Sequence, residues 1–146
     1  MNLYTIGFTQ KSAEEFFSLL SKNNIECLID VRLNNVSQLA GFAKAKDLQY
    51  FLKKICNINY IHNTIYAPTK DILDRYKKNM ISWQDYEIQY KTLIKNRNVE
   101  KQFLKDIYYF ENVCLLCSEN AAQYCHRRLL AEYLKDKIQN IHIRNL

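Results

Sequence analysis

Apolar residues follow two different periods along the chain, and the two periods alternate. Short runs rich in β-branched and aromatic residues, typical of strands, lie at 3–6, 25–31, 59–62, 113–117 and 141–143. Apolar residues at helical spacing, typical of amphipathic helices, fill 12–23, 45–56, 69–77, 82–94, 99–110 and a last helix after the fourth strand. Strands alternating with helices predict an α/β fold.

Several helix starts carry capping residues. Ser12 with Glu15 and Ser82 with Asp85 have capping-box spacing, and Thr69 is placed to cap the helix that follows it. In the helix over 45–56, we expect Leu48, Phe51, Leu52 and Ile55 to face the core.

The run from 25 to 31 is almost continuously apolar, which is typical of a strand covered on both faces and therefore of a parallel sheet. We predict one domain over residues 1–146, a three-layer sandwich around a mainly parallel sheet of about five strands. Ligands of such sheets bind beyond the carboxyl ends of the strands. These ends carry Gly7 and Phe8, Asp30 and Arg32, His62 and Asn63, and Cys117 and Glu119.

Length and composition agree with one globular domain: 146 residues, 48% hydrophobic and 25% charged. Only two glycines are present, which predicts few loops with positive φ. A net charge of +6 and a pI near 9.0 favour polyanionic partners, either nucleic acid or phosphorylated small molecules. Lysines scattered over solvated helices would give the same charge.

The sequence opens directly on a strand-like segment without a secretory leader, and it has no apolar run of membrane-spanning length. We therefore expect a cytoplasmic protein without membrane contact. Five cysteines in apolar contexts fit reduced thiols better than a disulfide framework.

The fourth strand leads through a polar loop into the last helix, and this segment holds the most specific chemistry. Arg127 and Arg128 fall in the opening helical turn, where cations are unfavourable unless an anion faces them. Arg128 has a helical partner in Glu132, four residues on, whereas Arg127 has none. We therefore interpret His126 and Arg127 as anion-facing, with Glu119 as an acid, base or orienting group.

Asp30 and Arg32 lie two apart and project to one face of an extended strand. They would either hold a polar substrate together or form a structural ion pair. His62 on the third strand is a secondary candidate, and Trp83, Tyr86 and Tyr90 are interpreted mainly as packing, with base stacking as the alternative.

The cysteines leave several alternatives open. Cys125 at the helix start is either a reactive thiolate or a buried residue beside Leu129, and Cys117 is the better placed thiol for a pocket. Cys114 points to the opposite face of the strand from Cys117. The spacing argues against a metal site, whereas a Cys117–Cys125 redox pair is sterically possible. The lack of a GxGxxG or Walker loop disfavours dinucleotide cofactors and P-loop chemistry. We therefore expect no metal and no cofactor.

These segments resemble the DUF488 family, a domain of unknown function, over almost the whole chain. The resemblance is carried by residues 4–8, 28–32, 67–70, Ser82-Trp83 with Tyr86, and above all 116–119 followed by 125–129. It implies an α/β fold and a shared site but supplies no reaction. Phe8 stands where the family usually has His, and Asn34-Asn35-Val36 replaces its usual Ser-x-Pro stretch.

The leading hypothesis is an enzyme-like domain, a hydrolase or group transferase, that binds a phosphorylated or nucleotide-like anion. Glu119 or His126 would move protons, and in a variant of the hypothesis Cys117 is the nucleophile. The ligand-binding residues would be Gly7, Asp30, Arg32, Cys125, Arg127 and Arg128. The alternatives are a nucleic-acid-binding module and an accessory protein in which the Cys-His-Arg cluster is structural.

Overall fold

The computed structural model describes residues 1–36 and 40–146, so part of the loop predicted over 33–43 lies outside the described residues. Strands and helices alternate through the first half, three helices follow one another, and a strand, a helix and a strand close the chain. The strands are β1 (Asn2–Gly7), β2 (Cys27–Asp30), β3 (Asn59–His62), β4 (Asn112–Cys117) and β5 (His142–Asn145). The helices are α1 (Ala13–Lys22), α2 (Ala45–Phe51), α3 (Lys70–Lys77), α4 (Trp83–Asn96), α5 (Val99–Asp106) and α6 (His126–Lys137).

The five strands form one parallel sheet in the order β3-β2-β4-β1-β5, which confirms the predicted fold class. β4 lies between β2 and β1 although it comes last of the three in the chain. In its register, Cys117 is level with Gly7 on one side, and Leu116 is level with Asp30 on the other. The carboxyl ends of β1, β2 and β4 therefore lie side by side.

A hydrophobic core lies on each face of the sheet. On one face, Phe16, Phe17 and Leu20 of α1 pack with Leu48 of α2 and Leu52. On the other face, α3, α4, α5 and α6 pack against residues that include Cys27, Ile29 and Cys117. Cys114 belongs to the first core and Cys117 to the second, as strand alternation predicts. No described helix is both long and apolar enough to cross a membrane.

The predicted caps are present, except that Ser12 and Glu15 form only one half of the expected capping box, the bond from the Glu15 N–H to the Ser12 side chain. The side chains of Ser12 and Thr69 accept from the backbone N–H three residues on, at 3.1 Å and 3.2 Å. Ser82 and Asp85 form a reciprocal capping box. These local hydrogen bonds explain why α1, α3 and α4 begin where the sequence predicts.

The inward placement predicted for Ile55 is wrong, since its side chain is 59% exposed. The α-helical pattern ends at Phe51, and residues Leu52–Cys56 form a π-helical turn. A π turn holds more residues than an α turn, so it rotates the following side chains away from their expected face. Leu52 remains fully buried and Ile55 turns to solvent.

The prediction that few loops need a positive φ is also wrong. Positive φ occurs at Gln10 and at five asparagines, while neither glycine adopts it. Those asparagines are Asn24, Asn57, Asn79, Asn98 and Asn140. Asparagine tolerates the left-handed region better than other residues with a Cβ, so here it takes the role that glycine has at most helix ends.

Candidate functional site

A cavity of about 380 Å³ opens at the carboxyl ends of β2 and β4. Its walls come from the segment after β2, from α3, from the start of α4 and from the loop between β4 and α6. The lining residues are Arg32, Leu33, Asn34, Leu73, Tyr76, Lys77, Trp83, Tyr86, Cys117, Ser118, Glu119, Tyr124, Cys125 and His126. The cavity therefore lies at the sheet edge where the fold class predicts ligand binding.

The structure brings five of the residues proposed from the sequence into this cavity: Arg32, Cys117, Glu119, Cys125 and His126. The other four, Gly7, Asp30, Arg127 and Arg128, do not line it. Each of these four residues either contacts residues behind the cavity wall or lies outside the cavity.

Asp30 and Arg32 form a buried, bidentate ion pair. Nε and Nη2 of Arg32 donate to the two carboxylate oxygens of Asp30 at 2.8 Å and 2.6 Å. The hydroxyl of Tyr60 donates to the same carboxylate at 2.7 Å, and Nη2 of Arg32 also donates to the carbonyl of Ala43 at 2.8 Å. Burial and the adjacent Asp30 raise the pKa of Tyr60, so its phenol stays protonated as a donor.

Contacts with described residues fix the Arg32 side chain in place, but they do not satisfy all of its hydrogen-bond donors. Its Cζ lies 5.1 Å from the centre of the Phe8 ring, which is a cation–π contact. Burial lowers the pKa of Arg32, but the hydrogen bonds and charge of Asp30 outweigh that effect and leave it raised. Among the described residues, Nη1 of Arg32 is buried and has no hydrogen-bond partner.

Cys117, Cys125 and His126 form a second cluster in the cavity wall. Their ligating atoms all lie within 4.8 Å of one another. Sγ of Cys117 is 3.9 Å from Nδ1 and 3.8 Å from Nε2 of His126, so neither nitrogen is directed at the sulfur. Nε2 lies 2.9 Å from the carbonyl of Val31, which fixes the proton on Nε2 in the neutral ring and leaves Nδ1 as an acceptor.

The two thiols differ in acidity. The Cys125 thiol donates toward Cys117 and, with the Ser118 N–H and the charge of Arg127, lowers the pKa of Cys117 against the effect of burial. The same interaction, together with burial, raises the pKa of Cys125. The pair therefore ionises first at Cys117.

These three side chains are also the group that could hold a metal ion. Two thiols and an imidazole suit a thiophilic ion such as Zn²⁺. Cys114 lies in the core on the opposite face of the sheet and is not part of this group.

Arg127 is buried, with 1% of its surface exposed, and its guanidinium is used inside the protein. Nη1 donates to the carbonyl of Glu119, Nη2 donates to the carbonyl of Asn120 at 2.9 Å, and Nε donates to the hydroxyl of Thr5 at 3.3 Å. The loop carbonyls take the place of the anion that the sequence argument required. We therefore interpret Arg127 as the residue that holds the β4–α6 loop, in place of an anion-facing role.

Gly7 allows that loop to approach the sheet. A Cβ at this position would lie 1.6 Å from the carbonyl oxygen of Glu119 and 2.9 Å from Nη1 of Arg127. Only hydrogen fits there, so Gly7 supports the site through close packing and has no direct contact with the cavity.

Arg128 forms the predicted helical pair with Glu132, with Nη1 at 2.8 Å and 3.1 Å from the two carboxylate oxygens. It also donates to the carbonyl of Gln123 and lies 3.7 Å from Glu87. His62 is likewise occupied, because its Nε2 lies 2.9 Å from the carbonyl of Arg32.

Sequence reasoning missed the wall opposite the cysteines. Tyr76, Lys77 and Tyr124 were not considered, and Trp83 and Tyr86 were interpreted mainly as packing. Trp83 and Tyr86 stack with ring centres 5.1 Å apart, and Tyr124 packs edge-on against Trp83 at 5.6 Å. The spacing of aromatic residues on α3 and α4 was the available signal, but it does not distinguish a core face from a cavity wall.

The family described as "Domain of unknown function DUF488" matches residues 12–134, which span most of the chain. No curated protein and no solved structure matches.

Proposed function

We propose that this chain, which belongs to the DUF488 family, binds a small anion with an aromatic ring, such as a nucleoside phosphate, in the cavity at the carboxyl edge of the sheet. We further propose that it is an enzyme acting on that ligand by hydrolysis or group transfer. The observation that carries the proposal is the buried Nη1 of Arg32, which has no hydrogen-bond partner within residues 1–36 and 40–146 and belongs to a residue that lines the cavity.

An unsatisfied buried donor costs about 1–3 kcal/mol, and more when it belongs to a charged group. A ligand oxygen that accepts from Nη1 would recover this free energy. Asp30 neutralises the charge of Arg32, so the guanidinium acts mainly as an oriented donor. Lys77 on the cavity wall supplies positive charge, and α6 begins at His126 with its positive dipole end at the cavity.

The aromatic wall favours a ligand with a flat ring. Tyr76, Trp83 and Tyr124 line the cavity, and their rings can contact the face or edge of a planar group. Stacking on aromatic side chains contributes about 1–3 kcal/mol per base. A volume of 380 Å³ lies at the lower end of the range for small-molecule sites, which suits a mononucleotide better than a dinucleotide.

Glu119 is the proposed proton-transfer residue, because it is exposed and lines the same cavity as Arg32. Nδ1 of His126 is the alternative acceptor. The lowered pKa of Cys117 also supports the version in which this thiol is the nucleophile.

A nucleic-acid-binding function ranks second. It was based on the basic start of α6, where Arg127 is buried and Arg128 is paired with Glu132. Neither guanidinium is available to a phosphate backbone without breaking these contacts.

The binding proposal is tested by titrating nucleoside mono- and diphosphates and smaller phosphorylated metabolites into the protein. Trp83, the only tryptophan in the sequence, lines the cavity and provides a fluorescence signal. Arg32→Lys keeps the positive charge but removes the planar donor set. We expect it to weaken binding at least about tenfold. Arg128→Lys, the same substitution outside the cavity, should leave the affinity within about twofold.

Urea unfolding of Arg32→Lys accompanies the titration, so that a loss of folding is not taken for a loss of binding. Equal weakening by both variants, or no binding by the wild type to any of these compounds, would refute the proposal. For the catalytic part, Glu119→Gln should keep the affinity and lose turnover of whichever ligand binds; unchanged turnover would remove Glu119 from the mechanism.

A further inference from the structure

Two cysteines from different elements meet in the cavity wall. Cys117 ends β4 and Cys125 precedes the first residue of α6, and their sulfur atoms lie within 4.8 Å of each other. Both residues are nearly buried, at 5% and 3% exposure, yet both line the cavity. The cavity therefore provides a route by which a small reagent can approach them.

We propose that Cys117 and Cys125 are a redox-active dithiol that a hydroperoxide oxidises to an intrachain disulfide. Cys117 is the attacking thiol and Cys125 is the resolving thiol. This modification site is separate from the anion-binding role proposed above and does not depend on it.

The chemistry balances with one peroxide per pair. The Cys117 thiolate attacks one oxygen of hydrogen peroxide, the O–O bond breaks, and hydroxide leaves and takes up a proton to form water. Cys117 is then a sulfenic acid. The sulfur of Cys125 attacks the sulfur of Cys117, the S–O bond breaks, and water leaves with the proton of the Cys125 thiol. The dithiol loses two electrons, which the peroxide gains.

The backbone at Cys125 allows its sulfur to move closer to the sulfur of Cys117, as a disulfide bond requires. Cys125 is extended, with φ −136° and ψ 137°, and its side chain makes no capping hydrogen bond to α6. Its movement toward Cys117 therefore leaves the helix hydrogen bonds intact. Nη1 of Arg127 lies 3.7 Å from the Cys125 sulfur.

The remaining cysteines lack this arrangement. Burial raises the pKa of Cys27 to about 12, and Cys114 is fully buried with its pKa also raised. Cys56 packs against the hydrophobic core on the other face of the sheet, where its sulfur contacts the hydroxyl of Ser21 at 3.1 Å. Cys56 is half-buried and so provides a matched control thiol.

The test treats the reduced full-length protein with small excesses of hydrogen peroxide, followed by thiol counting, intact mass and peptide mapping. We expect loss of two thiols per chain, a mass lower by two hydrogen atoms, a Cys117–Cys125 linkage and reversal by dithiothreitol. In Cys125→Ser, dimedone should trap a sulfenic acid on Cys117. In Cys117→Ser, no sulfenic acid should form on Cys125. Cys56→Ser should behave as the wild type.

Three results would overturn the proposal. The first is oxidation that produces only disulfide-linked dimers or that maps to Cys56. The second is a pair that keeps both thiols at a peroxide concentration that oxidises free glutathione. The third is one equivalent of zinc that copurifies with the wild type and is lost from both Cys117→Ser and Cys125→Ser, which would assign the cluster to metal binding. Each readout is independent of ligand binding in the cavity.

Discussion

Replacing Gly7 by alanine tests how the β4–α6 loop is held against the sheet. The new Cβ would lie 1.6 Å from the carbonyl oxygen of Glu119. Non-bonded carbon and oxygen atoms settle at roughly 3.5 Å, so the loop must move by roughly 1.5 to 2 Å. The same carbonyl accepts from Arg127, whose Nη1 would be only 2.9 Å from the new carbon.

The expected cost follows from the bonds that this movement breaks. Arg127 donates to the carbonyls of Glu119 and Asn120, and a hydrogen bond from a charged group contributes about 1.5–3 kcal/mol. Overpacking by one carbon costs about 1–3 kcal/mol. Partial relaxation of the loop recovers some of this, so we expect Gly7→Ala to lower the free energy of unfolding by about 3 kcal/mol. Domains are stable by about 5–15 kcal/mol, so the loss is measurable without complete unfolding.

The assay is urea unfolding followed by Trp83 fluorescence and by circular dichroism. The chain provides its own control, because a Cβ at Gly41, the other glycine, would meet nothing within 4 Å. Gly41→Ala should change the free energy of unfolding by less than about 1 kcal/mol, and its sign should be stabilising because alanine restricts the unfolded chain.

If Gly7→Ala and Gly41→Ala unfold at the same urea concentration, the close approach of the loop is refuted. A double-mutant cycle with Arg127→Met sharpens the test. Both substitutions remove the same hydrogen bonds, so their effects should be strongly non-additive. Additive losses would mean that Gly7 and Arg127 stabilise the protein independently.

Three further predictions concern the ion pair, a helix end and the thiol pair. Asp30→Asn leaves the Arg32 guanidinium buried without its counter-ion and should cost about 3–5 kcal/mol in urea unfolding, whereas Asp30→Asn combined with Arg32→Gln should cost less than Asp30→Asn alone. Asn24→Ala should cost about 1 kcal/mol because φ is 51° there, while Asn24→Gly should be neutral or stabilising; equal melting temperatures would contradict this. The pKa of Cys117 lies below its usual range, so a larger fraction of this residue is thiolate at a given pH. Its alkylation by iodoacetamide, followed by mass spectrometry, should therefore persist to lower pH than the alkylation of an ordinary thiol. Cys125→Ala removes the hydrogen-bond donor and should shift the pH dependence of alkylation to higher pH.

The two arginines that start α6 show why a local sequence argument can identify a place but not a role. A cation in the first helical turn needs a negative partner, and Arg127 has such partners in the carbonyls of Glu119 and Asn120. Helical spacing predicted the partner of Arg128 because Glu132 is four residues away. It could not predict the carbonyl partners of Arg127, because their positions depend on how the loop folds back.

Asp30 and Arg32 illustrate the same limit. Strand periodicity places both on one face, and the structure pairs them with two short hydrogen bonds. That pairing is local. The partners that bury the pair, Tyr60 on β3 and Ala43, come from elsewhere in the chain. Their combination leaves one guanidinium nitrogen of this cavity-lining residue without a partner in the described part of the chain.

The sequence by itself determined the α/β class, the approximate strand positions and the capped starts of three helices. Each of these depends on period, on a cap three residues away, or on the handedness of parallel crossovers, all of which are short-range rules. The prediction from helical spacing that Ile55 faces the core was wrong because a π turn intervenes. The prediction from the glycine count that few loops have positive φ was wrong because asparagines occupy most of the left-handed positions.

Only the tertiary structure decided the strand order, with β4 inserted between β2 and β1, and with it the identity of the cavity wall. That insertion brings Cys117 beside Gly7 and close to the end of β2. The aromatic wall from α3 and α4 faces the thiols because those helices pack on the same side of the sheet as α6. Such long-range neighbours are fixed by which surfaces pack best together, and no periodicity within a segment records that choice.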